Sequence, residues 1–320
     1  MGSHLNTISR RGFLRGLGIG ALSIGATSWG GVHRVFAQTS PSSATITALS
    51  RFNVGDFEIT ALQDAVFPFD PSIFGANAPE GGIAEVLTAN NLPTDSVNTT
   101  VTVLLVNTGS ELILLDTGNG AANGGRLLAT LELMGITPDA INAVVISHFH
   151  PDHIGGMTTD GAPTFPSAAY YFPQAEWDFM QSAPTDSPAA DTIAATAAAL
   201  QPIIDNDQLS YYAAEGEIIP GIQAVRAPGH SPGHSALLIV SGESQLLNLV
   251  DSALNAVVSL TRPDWFAGFD AIPEQAVETR VALLTRAAEE GLQIFGYHFP
   301  FPGVGYVIAE DEGFRFTPAF

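Results

Sequence analysis

The sequence predicts an α/β fold built on mixed β-sheets rather than on a simple doubly wound sheet. Short apolar runs alternate with helical patterns, as in the buried strand of "INAVVISH" (141–148) and the amphipathic helix of "PEQAVETRVALLTRAAEEG" (273–291). Other apolar runs follow one another with only a turn between them, which is typical of antiparallel strands. The chain has 320 residues and is 46% hydrophobic, so it can bury one sizeable core.

The individual elements follow from local patterns. "TVTVLLVNTG" and "ELILLDTGNG" predict two strands joined by a turn at 107–110, and "GGRLLATLELMG" predicts a helix that stops at Gly135. "GIQAVRAPGHSPGHSALLIVSGESQLLNLVDS" predicts three further strands, "LQIFGYHFPFPG" a last buried strand and "YVIAEDEGFRFTP" a closing hairpin. Between them, "SPAADTIAATAAALQPIID" predicts a helix with Pro188 in its first turn. Its core-facing stripe is expected to be Ile193, Ala197, Leu200 and Ile204.

The N-terminus has the order of a secretory signal. The basic "SRRGFLRG" precedes the apolar "LGIGALSIGATSWGG" and then "VFAQ", with a small-residue cleavage site after Ala37. The paired arginines followed by Phe13 and Leu14 resemble a twin-arginine signal, which exports folded proteins to the periplasm or beyond. The apolar stretch is too short and glycine-rich for a stable membrane anchor. We therefore predict a signal peptide over 1–37, a linker over 38–50 and a single domain over 51–320.

The charge balance excludes whole classes of partner. The 11 basic residues are all arginine, against 32 Asp and Glu, so the net charge is −21. Without the four arginines of the signal, 7 arginines face 32 acidic residues, a net charge of −25. Such a surface repels nucleic acid and anionic lipid. The sequence also contains no cysteine, so any metal site must use nitrogen and oxygen ligands.

The stretch "VISHFHPDHIGG" (145–156) concentrates groups that bind metals. His148 and His150 alternate as they leave a strand, so both can face one side of its end, and Asp152 and His153 follow on a turn. Two such pairs suit two neighbouring metal ions better than one. The alternative is a histidine cluster with a structural or pH-sensing role.

Further ligands must come from elsewhere in the chain. His230, Asp251 and His298 each follow an apolar run and begin a turn, which is the position where sites of α/β proteins gather. An aspartate after five apolar residues is costly to bury unless a cation or hydrogen bonds compensate. Taken singly, each of the three could equally be a satisfied core group.

"HFHPDH" with a later His, Asp and His resembles the metallo-β-lactamase superfamily, over nearly all of 51–320. The resemblance implies an αββα sandwich of two mixed β-sheets flanked by helices, with two metal ions in its cleft. It implies that the first ion is held by His148, His150 and His230, the second by Asp152, His153 and His298, and that Asp251 bridges them. By the same resemblance, Asp116 in "LLDTG" and His234 lie just behind the ligands, and Asp116 would orient a ligand imidazole.

Within the superfamily, the lack of cysteine argues against the zinc β-lactamases. RNase Z must hold a polyanion and glyoxalase II a glutathione moiety, and this acidic, lysine-free chain suits neither. "APGHSPGHS", "GDFEITALQD", "LLVNTGSELILLDTG" and "HFPFPGVG" resemble the methyl parathion hydrolase and acyl-homoserine lactonase branch. One departure is Leu254, where the well-known lactonases carry a tyrosine.

This branch implies a hydrolase in which a hydroxide bridging two metal ions attacks a neutral ester, with Asp152 and Asp251 as catalytic carboxylates. The expected substrates are lactones, aryl esters and organophosphate triesters such as methyl parathion. Alternatives are an acyl-homoserine lactonase or a non-hydrolytic iron protein on the same scaffold. Zinc is the first expectation, and manganese, iron and cobalt accept the same ligands. The resemblance also implies a homodimer. The expected pocket residues are Phe67, Phe69, Leu254, Trp265, Phe269 and Phe299.

Overall fold

The computed structural model describes residues 48–320, in which most strands belong to two seven-stranded β-sheets. In chain order the strands are β1 (Leu49–Val54), β2 (Phe57–Phe69), β3 (Val97–Asn107), β4 (Leu112–Leu115), β5 (Ala143–Val145), β6 (Thr158–Thr159), β7 (Ala162–Pro163), β8 (Ala169–Pro173), β9 (Leu209–Tyr212), β10 (Gly216–Ile219), β11 (Ile222–Arg226), β12 (Ser235–Ser241), β13 (Ser244–Val250), β14 (Gln293–Gly296), β15 (Val304–Glu310) and β16 (Gly313–Pro318).

Seven α-helices alternate with these strands along the described part of the chain. They are α1 (Gly82–Ala89), α2 (Leu127–Leu133), α3 (Pro151–Ile154), α4 (Gln174–Ser182), α5 (Ala190–Asp205), α6 (Val258–Thr261) and α7 (Pro273–Glu290). None of these described helices combines the length and the apolar character that a membrane crossing needs.

Both large sheets are mixed. The first has the order β1-β2-β3-β4-β5-β8-β9, antiparallel up to β4 and parallel from β4 to β9. The second has the order β10 to β16 in sequence, and only β13 and β14 pair in parallel. The parallel pairs matter for function, because their carboxyl ends open on the same edge of each sheet.

Alternation along the strands builds the sandwich. On β12, Leu237 and Ile239 join the core shared with the first sheet, whereas Leu238 belongs to a second core that includes Leu283 and Leu284 of α7. Successive side chains point to opposite faces, so an all-apolar strand can serve both cores. Helices α2, α4 and α5 contact strands of the first sheet, and α6 and α7 contact strands of the second. The predicted αββα sandwich is confirmed.

Two local predictions need correction. Helix α5 begins at Ala190, so Pro188 precedes the helix instead of standing in its first turn. Its fully buried residues are Thr196, Leu200 and Ile203, whereas the predicted stripe residue Ala197 is exposed. The helix is rotated by about one position, because the Thr196 hydroxyl turns inward to donate a hydrogen bond to the Phe149 carbonyl, 3.2 Å away.

The predicted signal peptide, residues 1–37, and most of the predicted linker lie outside the described residues. The linker was expected to end at residue 50, but β1 already begins at Leu49 and pairs with β2 from there.

Candidate metal centre

The strand ends of both sheets bring the seven predicted ligands together. His148 and His150 follow β5, Asp152 and His153 lie on α3, His230 lies between β11 and β12, and Asp251 and His298 follow β13 and β14. Two groups form, within each of which the candidate ligand atoms lie within 4.8 Å of one another. The first group is His148, His150, His230 and Asp251, and the second is Asp152, His153 and His298.

Asp251 lies between the two groups. Its Oδ2 is 3.0 Å from His230 Nε2 and 3.8 Å from His148 Nε2. Its Oδ1 is 3.2 Å from both His153 Nε2 and His298 Nε2. His298 Nε2 is equally close to Oδ2, at 3.2 Å. The carboxylate therefore contacts both groups, as a bridging ligand must.

The donor atoms fit a pair of cations. Among the described residues, His148 Nε2, His153 Nε2 and Asp251 Oδ1 are buried and have no well-aligned hydrogen-bond partner, although the last two lie 3.2 Å apart. Buried polar atoms are nearly always satisfied, so three such atoms at one place indicate a site for cations. Metal ions would satisfy them, and an all-nitrogen and oxygen donor set is accepted by zinc, manganese, iron and cobalt alike.

Electrostatics favour the same interpretation. Burial by itself would raise the pKa of the Asp251 carboxyl, but the imidazoles of His298, His153 and His230 hold it well below its ordinary value. Burial, and then the neighbouring His153, lower the pKa of His148 well below its ordinary range. Burial opposes the shift, but Asp251 raises the pKa of His153, His230 and His298, so cations that bind there would displace protons from these imidazoles. His148 already offers an unprotonated nitrogen.

The ligands are held by partners behind them. Asp116 Oδ2 lies 2.9 Å from His153 Nδ1, and the same carboxylate accepts hydrogen bonds from the backbone N–H and hydroxyl of Ser147. His298 Nδ1 donates to the Thr100 carbonyl at 2.8 Å. These bonds fix the rings so that Nε2 faces the centre. Asp116 therefore contacts the imidazole of the candidate ligand His153, the kind of contact that the resemblance implied.

His234 lies directly behind Asp251. Its Nδ1 donates to the Ala227 carbonyl at 2.8 Å, and its Nε2 accepts from the backbone N–H of Asp251 at 3.2 Å. Burial and then the nearby His230 lower the pKa of His234 to about 3, which keeps Nε2 free to accept. His234 thus contacts the bridging residue through its backbone and not through its carboxylate.

Strained backbone positions the two aspartates at the strand ends. Asp116 has φ 63° and Val250, immediately before Asp251, has φ 48°. The left-handed region is costly for a β-branched residue such as valine and persists only where the surroundings enforce it. Here the turn redirects the chain after β13 so that the Asp251 carboxylate points into the cleft.

A cavity of about 480 Å³ opens over the candidate site and is lined by five of the seven candidate ligands, all except His148 and His153. Its wall is mainly apolar, formed by Phe67, Phe69, Phe74, Leu254 and Phe269. Its polar wall residues away from the candidate ligands are Thr99, Asn119 and Thr192, and the described residues that line it include no lysine or arginine. The cavity therefore suits an uncharged molecule with an apolar part.

Two predicted pocket residues lie elsewhere. Trp265 is buried in a small core with Phe74 and Leu254, behind the wall and not on it. Phe299 is fully buried and packs edge-to-face on Phe316 at 5.1 Å. The chain turns after β14, where the Phe299 N–H donates to the Gly296 carbonyl at 3.1 Å, and this turn directs Phe299 into the core while His298 lines the cleft. Aromatic residues near a ligand in sequence need not share its face.

Sequence reasoning also missed several residues of the site. Thr99, Asn119 and Thr192 line the cavity, and Asp270 and Arg280 lie behind His230. Of these residues, only Arg280 could have been found from the sequence pattern. It is a charged residue on the apolar stripe of α7, in line with Ala276 and Leu284.

The fold and the site together define the class of protein. The family model of the metallo-beta-lactamase superfamily matches residues 97–289, so this chain belongs to that superfamily, and the resemblance recognised in the sequence is confirmed. The chain is 27% identical over 197 residues to an N-acyl homoserine lactonase of Bacillus cereus, covering 61% of this chain and 67% of the relative.

Two solved structures are similar over most of the chain. One is AidC, a dizinc quorum-quenching lactonase in complex with its product N-hexanoyl-L-homoserine, with TM-score 0.80 and 26% identity over 86% of this chain and 98% of AidC. The other is the hydrolase AbOPH of the beta lactamase superfamily, with TM-score 0.80, 27% identity and the same coverage. The dizinc relative and the two ligand groups support two divalent metal ions in this protein.

Proposed function

We propose that this protein is a dinuclear metal-dependent hydrolase of neutral esters, and that lactones are its first substrate class. The observation that carries the proposal is the set of buried, unpartnered candidate ligand atoms beside an apolar cavity that the other candidate ligands line. The lactonase relatives support the choice of lactones over other esters. Aryl esters and organophosphate triesters belong to the same proposal as further substrates.

The residues have distinct roles in this proposal. Two divalent ions held by the seven ligands would supply the Lewis acidity that lowers the pKa of water to about 7 and polarises the ester oxygen. Asp251 holds its carboxylate between the two ligand groups. Asp152 has the more exposed carboxylate, with 29% of its side chain accessible, and it lines the cavity. It is placed to accept the proton of the attacking water and to return it to the leaving alcohol.

The cavity wall selects the substrate. Phe67, Phe69 and Phe269 offer aromatic faces for an acyl chain or aryl ring. Charged substrates would lose their hydration without gaining an oppositely charged partner from this wall. Leu254 lines the cavity where the well-known lactonases carry a tyrosine, so Thr99, Asn119 and Thr192 are the hydrogen-bonding side chains of the wall away from the candidate ligands.

Export of the folded enzyme is part of the proposal. It rests on the twin-arginine pattern of residues 1–37 alone. A hydrolase exported in this way would meet its ester in the periplasm or outside the cell.

The proposal is tested with His150→Ala and Asp251→Ala. Each should reduce turnover of a γ-lactone by more than about 100-fold. Loss of a residue that only contacts a metal ligand costs up to about 100-fold, so loss of a ligand itself should cost more. Asp205→Ala is the matched control, since this aspartate is exposed at the far end of α5. Metal content should be two zinc-like ions per native chain, whereas a single iron would indicate the non-hydrolytic alternative.

A substrate panel then ranks the ester classes. Acyl-homoserine lactones, simple γ- and δ-lactones, p-nitrophenyl esters, a paraoxon-like triester and a cephalosporin are compared by kcat/KM. Lactones should be hydrolysed best and the anionic cephalosporin worst. Full turnover in Asp251→Ala, or no ester hydrolysis by a protein holding two metal ions, would overturn the proposed function.

A further inference from the structure

A buried ion pair lies behind the candidate ligand His230. Asp270 Oδ1 is 3.0 Å from His230 Nδ1, and Asp270 Oδ2 accepts a hydrogen bond from Arg280 Nη2 at 3.0 Å. Both side chains are essentially inaccessible to solvent, at 0% for Asp270 and 1% for Arg280. The family resemblance provided a carboxylate behind His153 but none behind His230.

Arg280 has more partners than the ion pair. Its Nε donates to the Ser252 carbonyl at 2.8 Å, and Ser252 directly follows Asp251. Its Nη1 donates to the carbonyls of Pro263 and Trp265 at 3.0 and 2.8 Å. Four of the five N–H groups of the guanidinium are thus engaged, each with a different acceptor.

These acceptors belong to three functional segments. Asp270 orients His230, Ser252 continues from Asp251, and 263–265 leads into the segment that carries Phe269 of the cavity wall. The loop before His230 also packs closely against the start of α7. Gly229 lies so near Ala276 that a Cβ at this position would clash with the backbone nitrogen of Ala276. Helix α7 therefore supports one ligand loop by its backbone and by a side chain.

The chemistry of the pair explains why both members are needed. A carboxylate that accepts from Nδ1–H keeps the imidazole in the tautomer whose Nε2 lone pair faces the centre, and it makes that nitrogen more basic. A buried carboxylate is costly unless a cation compensates it, which Arg280 does. Lysine could compensate the charge but could not reach several acceptors with a rigid planar fork.

We propose that Asp270 and Arg280 are positioning residues of the metal centre, with separable roles: Asp270 sets metal retention through His230, and Arg280 also fixes the cavity wall that determines substrate affinity. This inference rests on the proposed dinuclear site. It assigns two roles to one buried pair and predicts that they can be separated by conservative substitutions.

The first measurement is metal retention by the loaded protein against increasing chelator, which requires no substrate. Asp270→Asn preserves the shape of the side chain but removes the charge that orients His230. It should release one of the two ions at about 10- to 100-fold lower chelator concentration than the native protein. Arg280→Lys should retain both ions nearly as well as the native protein, since it keeps a cation beside Asp270.

The second measurement separates KM from kcat on a lactone and on an aryl ester. Arg280→Lys loses bonds to Ser252, Pro263 and Trp265, so the wall around Phe269 is less well held. We expect KM to rise about tenfold, since charged hydrogen bonds to buried carbonyls are among the strong ones, with a smaller change in kcat. Arg286→Lys, at a partly exposed position of the same helix, and Asp205→Asn are the matched controls and should change neither readout.

A folding defect is distinguished by the double variant Asp270→Asn/Arg280→Met. Replacing both charges of a buried pair is often neutral or stabilising, so this variant should stay folded while still losing one ion. Native retention of both ions by Asp270→Asn and by the double variant, or an unchanged KM in Arg280→Lys, would overturn the inference. A native protein that binds no metal ions would instead overturn the proposed function.

Discussion

Glu176 is a fully buried carboxyl group beneath the loop that carries His230. It accepts a hydrogen bond from the Ser231 hydroxyl through Oε1, whereas Oε2 has no partner among the described residues. Burial raises the pKa of Glu176 to about 8, although the bond from Ser231 opposes the shift. Near neutral pH the side chain is therefore mainly a neutral acid that packs against the ligand loop.

This shift predicts how stability depends on pH. Below about pH 4.5, the ordinary value, Glu176 is protonated in both the folded and the unfolded chain. Between about 4.5 and 8 the folded chain keeps a proton that the unfolded chain releases, so the free energy of unfolding falls as the pH rises. Glu176→Gln removes this titration and keeps the acceptor for Ser231. The difference in free energy of unfolding between the variant and the native protein should shift in favour of the variant by on the order of 3 kcal/mol from pH 5 to pH 8.5.

The measurement is urea denaturation of native protein and Glu176→Gln at both pH values. Comparing the two proteins at each pH cancels the titration of the metal ligands, which they share. An equal difference at pH 5 and pH 8.5 would contradict the raised pKa.

The sequence revealed those site residues whose signal is local. His148, His150, Asp152 and His153 lie in one hexapeptide, and four metal-binding side chains in six positions indicate a metal site without any knowledge of the fold. Asp270 contacts His230 from 40 residues away in the chain, and Glu176 contacts Ser231 from 55 residues away. The sequence around either acid contains no pattern that predicts the contact. Charged groups that act behind a ligand become visible only when the chain is folded.

At the scale of elements, a bulge in β2 organises the loop after β4. The register of β2 against β3 shifts between Gln63 and Ala65, and the intervening Asp64 is fully buried. Its carboxylate accepts from the backbone N–H groups of Asn119, Arg126 and Leu127 at 2.8, 2.7 and 2.7 Å. Asp64 thus caps the start of α2, which has no side-chain cap of its own, and holds Asn119 at the cavity.

Asp64→Ala should therefore destabilise the protein by about 2–4 kcal/mol, since three backbone donors lose a charged acceptor. Thermal or urea unfolding measures the loss. Asp56→Ala is the control, because this aspartate is exposed in the turn between β1 and β2, and it should cost less than about 0.5 kcal/mol. Similar effects of the two substitutions would show that Asp64 does not organise the loop.

Elements with a strong period were predictable, and short ones were not. Helix α7 and strands β12 and β13 follow directly from their apolar patterns. The two-residue strands β6 and β7 and the four-residue helix α3 carry no such pattern, because their conformation depends on neighbours such as Thr117, whose hydroxyl donates to the His153 carbonyl. The order of strands in each sheet could not be predicted either, because it depends on pairing between segments that are distant in the chain.

At the scale of the whole molecule, the candidate metal centre lies between the two sheets. The segment after β5 of the first sheet supplies four candidate ligands, and the loops and strand ends of the second supply His230, Asp251 and His298. Ions bound between the sheets would therefore stabilise the packing of the entire sandwich, because ligand binding to the folded state alone adds to stability.

Removal of the metal ions should lower the melting temperature markedly. A ligand at about 1,000 times its dissociation constant contributes about 4 kcal/mol, and two such sites would correspond to roughly 15–30 °C in a domain of this size. The check is thermal unfolding with and without a chelator, followed by return of zinc. An unchanged melting temperature after verified loss of both ions would contradict a role of the centre in holding the sheets together.

The chain passes from one sheet to the other only once within its described part, between Tyr212 at the end of β9 and Gly216 at the start of β10. A gene divided at that point would encode two polypeptides, each with a complete sheet and neither with a complete set of ligands. Recovered ester cleavage after mixing would then report reassembly of the halves, which makes this scaffold a natural basis for a split reporter.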